Sequence, residues 1–179
     1  EYTAWLRHLA AVIRETEKPL PFKHIVAQQV GGEMGGLGDI SGDEEIQLIV
    51  GQYIGPTSGG QFGGMQLLDS EYGWNKPIEL NETAYYPIWY KGDLLGTSRV
   101  EAWEFMLGGG AGFNQLNGLF SNINPTAAGT EIDALLQPLR HLKKFLHSFD
   151  FTRMRRDADL VGGPLPAGSF YRGISEPGR

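Results

Sequence analysis

KPIELNETAYYPIWY, residues Lys76–Tyr90, is the stretch on which the fold turns. Its first half reads as a short buried strand, Lys76 to Asn81, that delivers a carboxylate, Glu82, to its C-terminal end. Four aromatics then fall within six residues: Tyr85, Tyr86, Trp89 and Tyr90. In α/β proteins the loops at the carboxyl ends of parallel strands converge on a common crevice, and chemistry collects there. An acid at a strand end followed by an aromatic platform points to a sugar site.

Outward from this stretch the same unit recurs. Upstream, Ile46–Ile54 (IQLIVGQYI) reads as a strand stopped by Gly55-Pro56, and Phe62–Tyr72 as a helical segment carrying Met65, Leu67 and Leu68. Before it, His24–Val30 (HIVAQQV) is a β-rich run closed by the glycine-rich GGEMGGLGD. Residues 1–17 carry Trp5, Leu6, Leu9, Val12 and Ile13 at helical spacing, and Pro19 and Pro21 end that helix. Downstream, Ser98 and Glu101 fit a capping box for a helix with Val100, Trp103, Met106 and Leu107 as its buried stripe. Gly108–Gly110 should stop it. Phe113–Phe120 reads as a last strand, and Thr130 opens a final helix containing Leu135, Leu139, Leu142 and Leu146. Pro138 should kink that helix or mark a restart.

Alternation of strand and helix predicts parallel strands joined by right-handed crossovers. Four such units cannot close an eight-stranded barrel. The expected fold class is therefore α/β, as either the C-terminal half of a (β/α)8 barrel or a small open sheet. Residue 1 is not Met and a helical pattern starts at once, so the chain is expected to be a piece of something longer, which favours the half barrel. Residues 1–152 would form that half. Residues 153–179, with Gly/Pro punctuation and no helical period, read as a linker into a following, β-rich domain.

Composition narrows the function. The net charge is −6, and the one basic run, Arg153–Arg156, is short, so neither nucleic acid nor an anionic membrane is an expected partner. There is no cysteine, which excludes disulfides and thiolate metal sites. Glycine, at 26 of 179 residues, is about twice its usual ~7% and marks loops between apolar segments. The compartment is left open, with a secreted or periplasmic one as the working expectation.

Taken in order, IVAQQV, IVGQYIGPTSGG, KPIELNET, EAWEFMLGGGAGFNQLNGLF, LKKFLHSFDFTRMRRD and YRGISEPGR cover nearly the whole chain. Together they resemble the cellulase-like proteins related to clan A of the glycoside hydrolases. The resemblance implies that the segments are strands five to eight of the barrel and that the fragment belongs to a glycosidase acting on β-linked glycans with retention. It places the catalytic nucleophile, a Glu at the end of strand seven, on Glu82. The acid/base Glu, normally in an Asn-Glu pair ending strand four, would lie upstream of Glu1 in the rest of the polypeptide. Two departures are plain. Gln52-Tyr53 stands where relatives tend to carry a His-Tyr pair, and the Trp common at the end of strand eight is not evident in FNQLNGLF.

The remaining site residues follow from chemistry. A retaining mechanism needs two carboxyl groups ~5–5.5 Å apart, one of them a nucleophile. Strict alternation puts Glu82 on the side of Ile78 and Leu80. Tyr53, at the end of its own strand, can donate its hydroxyl to the Glu82 carboxylate, or can simply pack half-buried with its hydroxyl in water. Gln28, Gln29, Gln52, Asn81, Asn114, Gln115 and Asn117 fall at or near strand ends, where amides suit vicinal sugar hydroxyls but also cap strands. Tyr85 and Trp89 are the candidate stacking residues, while Trp103 reads as core. The four histidines make no metal pattern, the acidic Asp39–Glu45 loop lacks EF-hand spacing, and no phosphate loop is present, so no metal or cofactor is expected. The expected partner is an oligo- or polysaccharide. The alternative is a non-catalytic relative of the barrel that binds carbohydrate without turnover.

Overall fold

The computed structural model describes residues 2–31, 38–54, 63–83, 94–114, 130–167, 169 and 171–178. Helix α1 (Tyr2–Glu17) leads into strand β1 (Ala27–Gly31), a single helical turn α2 (Gly38–Ser41) and strand β2 (Leu48–Ile54). Helix α3 (Gly63–Glu71), strand β3 (Ile78–Thr83), helix α4 (Leu94–Leu107), the short strand β4 (Gly112–Phe113) and helix α5 (Thr130–Leu146) follow. The chain ends in two short strands, β5 (Arg155–Arg156) and β6 (Ile174–Ser175). The protein is thus mixed α/β, as its alternating pattern predicts.

β1 to β4 form one sheet in sequence order, and every pairing is parallel. Helices α3, α4 and α5 all pack on one face, where Ile49, Ile78 and Leu80 meet Met65, Leu68, Phe105, Leu142 and Leu146 in a single core. Parallel partners share a face, so Gln29, Val50, Glu79 and Gly112, which lie in one row, are on the opposite face. Glu79 needs no buried partner, because it lies half-exposed on that opposite face.

The core dictates close approach where α3 begins. A Cβ on Gly63 would sit 1.9 Å from the Ile54 carbonyl oxygen, and one on Gly64 would sit 2.7 Å from Leu80 Cδ2. Only glycine lets the first turn of α3 press against the ends of β2 and β3. At the other end of the next unit, Gly109 takes φ 103 and stops α4, as the glycine triplet predicts.

Several local expectations fail for identifiable reasons. Ser98 and Glu101 are not a capping box: α4 starts at Leu94, which puts both inside the helix, and both are buried. Val100 is exposed, and Ala102 and Phe105 fill the core instead. α4 lies between α3 and α5, so its apolar residues are not confined to one stripe. In α1 the stripe of Trp5, Leu9, Val12 and Ile13 is exposed, while Ala10 and the partly buried Leu6 meet Ile40 and Ile46. α5 runs from Thr130 to Leu146 as one helix with Pro138 inside it. Of the last predicted strand only Phe113 and Asn114 lie among the described residues before position 115, and the strand covers Gly112–Phe113.

Where the sequence predicts a linker, the chain after Asp150 folds back on the helical layer. β5 and β6 pair antiparallel, Arg155 with Ser175 and Arg156 with Ile174. The Arg156 backbone N–H donates to the Tyr72 hydroxyl at 2.8 Å, and the Arg156 guanidinium meets Asp69 at 2.8 Å and lies over the Tyr72 ring. The ribbon is therefore clasped to the end of α3 remote from the carboxyl ends of the strands.

Gly63→Ala should destabilise the chain by about 3 kcal/mol or more, because the new methyl meets backbone that cannot move without shifting β2. Chemical denaturation of the two proteins, compared at equal slope, measures this.

Candidate functional site

The carboxyl ends of β1, β2 and β3 bring Gly31, Gln52 and Glu82 into one row: Gly31 pairs with Gln52, and Gln52 with Glu82. The row is reached through two irregularities. Gly51 pairs with Leu80, but its successor Gln52 pairs with Glu82, so β3 carries an extra residue, Asn81. Ile54 then pairs with Thr83, so β2 carries the matching extra residue, Tyr53. Bulges of this kind collect beside active sites because they re-aim a strand end. Strict alternation from Ile78 and Leu80 consequently stops at Asn81 and does not carry to Glu82.

Of Glu82 and Tyr53 the backbone alone is described, and it places both at the bulged ends of adjacent strands. Asn81 and Asn114 come together across β3 and the end of β4. The Asn114 side-chain amide donates to Asn81 Oδ1 at 3.1 Å, and the Asn114 backbone N–H donates to the Leu80 carbonyl at 2.8 Å. Gln52 is half-buried in the row itself, and Gln29 is exposed two rows below it, on the same face. Gln28 does not join them. It pairs with Ile49, is 7% exposed, shares the helix-covered face and gives its side-chain amide to the Gln29 carbonyl at 2.5 Å. Tyr85, Trp89, Gln115 and Asn117 lie outside the described residues. Trp103 is half-buried against Phe145, with ring centroids 5.3 Å apart.

Behind the strand ends stands an acid that sequence reasoning assigns to the wrong role. Glu101 is 1% exposed, and its Oε1 accepts the Gly64 N–H at the start of α3 at 3.4 Å. It caps the neighbouring helix rather than its own. Burial pushes its carboxyl up to about 8, against the pull of the Gly64 N–H and with a small push from Glu104. Burial also raises Glu104 one turn on, while the Arg172 charge draws it back. Thr97, Glu101 and Glu104 fall at helical spacing, the pattern of a solvated face, so nothing in the sequence signals the burial of these acids.

Elsewhere the charged groups are structural. At the foot of α1, Glu17 accepts from His24 Nδ1 at 2.5 Å and pairs with Arg14 at 3.3 Å. The His24 hydrogen bond, the largest influence, holds the Glu17 carboxyl below its ordinary value against a smaller opposing effect of burial. Lys76 donates to the Ser41 and Asp43 carbonyls at 2.5 Å each, and burial lowers its pKa. Among the described residues no three His, Asp or Glu side chains gather in a way that could hold a metal ion, and no helix is long and apolar enough to cross a membrane. Two clefts, of about 490 Å³ against Arg99, Trp103 and His141 and about 620 Å³ between α4, β4 and α5, lie away from the strand-end row.

Because Glu17 ionises more readily in the folded chain, its contribution to stability is complete above its unfolded value near 4.5 and is lost as pH falls through the folded one. Glu17→Gln should therefore flatten the acid limb of a stability-versus-pH curve below about pH 5, a change that thermal melts from pH 3 to 7 will register. No protein-family model, no curated protein and no solved structure matches this chain.

Proposed function

We propose that the chain is the second half of a (β/α)8 glycoside hydrolase barrel, and that the whole protein cleaves β-linked glycans with retention. The observation that carries this reading is the topology. Four parallel strands run in sequence order, with α3, α4 and α5 gathered on one face. A doubly wound sheet reverses its strand order and covers both faces with helices. Sequential order with one helical layer among the described residues supports the wall of a barrel, since parallel sheets are seldom left with a bare face. The free face would be the barrel interior.

In this reading Glu82 is the nucleophile. It stands at the carboxyl end of the third strand, opposite Gln52. It attacks the anomeric carbon and forms a glycosyl-enzyme ester, while a second carboxylic acid protonates the departing glycosidic oxygen. Water, deprotonated by that same second group, then hydrolyses the ester. The second carboxyl would come from the first half of the barrel. Tyr53, at the matching bulge, would orient and keep ionised the Glu82 carboxylate through its hydroxyl. The Asn81–Asn114 amide pair and Gln52 would bind sugar hydroxyls beside the nucleophile.

A second reading is favoured by the same amides. Every described side chain of the strand-end group, namely Gln29, Gln52, Asn81 and Asn114, both donates and accepts without ionising, which suits binding without turnover. The two readings part on one experiment. In a polypeptide that includes the upstream half of the barrel, Glu82→Gln should reduce hydrolysis of aryl β-glycosides to background while leaving the melting temperature and oligosaccharide binding intact. Hydrolysis unchanged by the substitution removes Glu82 from the mechanism. Glycan binding without hydrolysis in either protein selects the second reading. The 179-residue chain alone should hydrolyse nothing.

A further inference from the structure

Glu101 is the most completely buried acid among the described residues, and no cation is bonded to it there. Its Oε1 accepts from Gly64 at the first turn of α3, and its Oε2 has no hydrogen-bond partner among the described residues. Among the described residues the charged groups around it are few. Glu104 lies one turn further along α4, and Arg172 from the C-terminal ribbon acts on Glu104. The charged residues of α3, Asp69 and Glu71, are at its opposite end, and Glu79 of β3 is on the other face of the sheet. A carboxylate in this position would be an unpaired buried charge with a second acid beside it, which folded proteins avoid by keeping the group neutral.

What the neutral acid holds is also specific. The turn that Glu101 caps is the one pressed against the Ile54 carbonyl, Leu80 and Phe105. Ile54 ends the strand that carries Gln52, and Leu80 directly precedes the bulge that leads to Glu82. Any loosening of that turn therefore reaches the back of the strand-end row without passing through the free face of the sheet.

We propose that Glu101, as a neutral carboxylic acid, is a positioning residue that seats the start of α3 behind the carboxyl ends of β2 and β3, and that the seat is proton-dependent. Opening the seat exposes Glu101 to water, where it gives up its proton. Opening thus becomes easier as pH rises from the ordinary carboxylate range towards about 8, and it stops depending on pH above that value. The placement goes beyond the glycosidase reading and does not depend on it, since it concerns the packing of the helix and not the reaction.

Amide hydrogen exchange on the 179-residue chain, corrected for the intrinsic pH dependence of exchange, tests it. Protection of residues 63–68 should fall about tenfold per pH unit between about pH 5 and 8 and then level off. In Glu101→Gln, whose amide mimics the neutral acid, protection should be independent of pH. The proposal is overturned if the variant keeps the wild-type slope, if the wild-type chain has none, or if residues 139–146 of α5 show the same slope, which would mark global unfolding. Should Glu101→Gln not fold, the carbon-13 titration of the Glu101 carboxyl in the wild-type chain decides. A midpoint well above the ordinary range supports the seat, and one near 4.5 sinks it.

Discussion

The contact between the first turn of α3 and the ends of two strands is the constraint on which the rest depends. Leu80 and Phe105 meet there with Gly63 and Gly64, and no side chain separates the helix backbone from the Ile54 carbonyl. That closeness fixes the height of α3 on the sheet. It also sets where α4 can lie, because Phe105 fills the space that Gly64 leaves. Burial of Ile49, Ile78, Leu80, Met65 and Leu68 then follows as one cluster, at roughly 1.5–3 kcal/mol for each large apolar side chain. A layer held by backbone proximity is less tolerant than one held by side chains, since it has no rotamers with which to adjust.

Much of this was legible in the sequence, and what was not had physical reasons. β2 is readable as a mostly apolar run and β3 from the alternation of Ile78 and Leu80 with polar neighbours, and the glycine triplet after α4 ends that helix as expected. α4 misleads because Ser98 and Glu101 have capping-box spacing, yet the helix begins a turn earlier and both residues are tertiary contacts. α1 misleads in a different way: its periodicity is real, but periodicity names an apolar face without naming what covers it. The C-terminal ribbon could not be read at all. Its attachment to Tyr72 spans 84 residues, and short strands paired over such a distance leave no local pattern.

The candidate site divides similarly. An acid at a strand end is visible from residue order, as are amides near the other strand ends. Which of them share a face is decided by register, and Gln28 and Gln29 are separated to opposite faces by one step along the chain. Glu82 owes its place opposite Gln52 to a bulge that no hydrophobic pattern announces. Glu101, by contrast, acts at a distance in sequence that only packing reveals.

The two bulges have one more consequence. They sit on neighbouring strands and cancel, so that the pairing beyond them, Ile54 with Thr83, resumes the register that held before them. The strand ends are therefore indexed to each other like two gear racks that each carry one spare tooth. A single-residue deletion at Tyr53 or at Asn81 alone would leave its partner's extra residue uncompensated and turn one strand end over relative to the other. Compensated loss of both would restore a regular ladder in which Gln52 still faces Glu82, but without the unpaired residue beside each. Change at this corner of the sheet is consequently coupled: the two positions have to be gained or lost together if the strand ends are to stay in register.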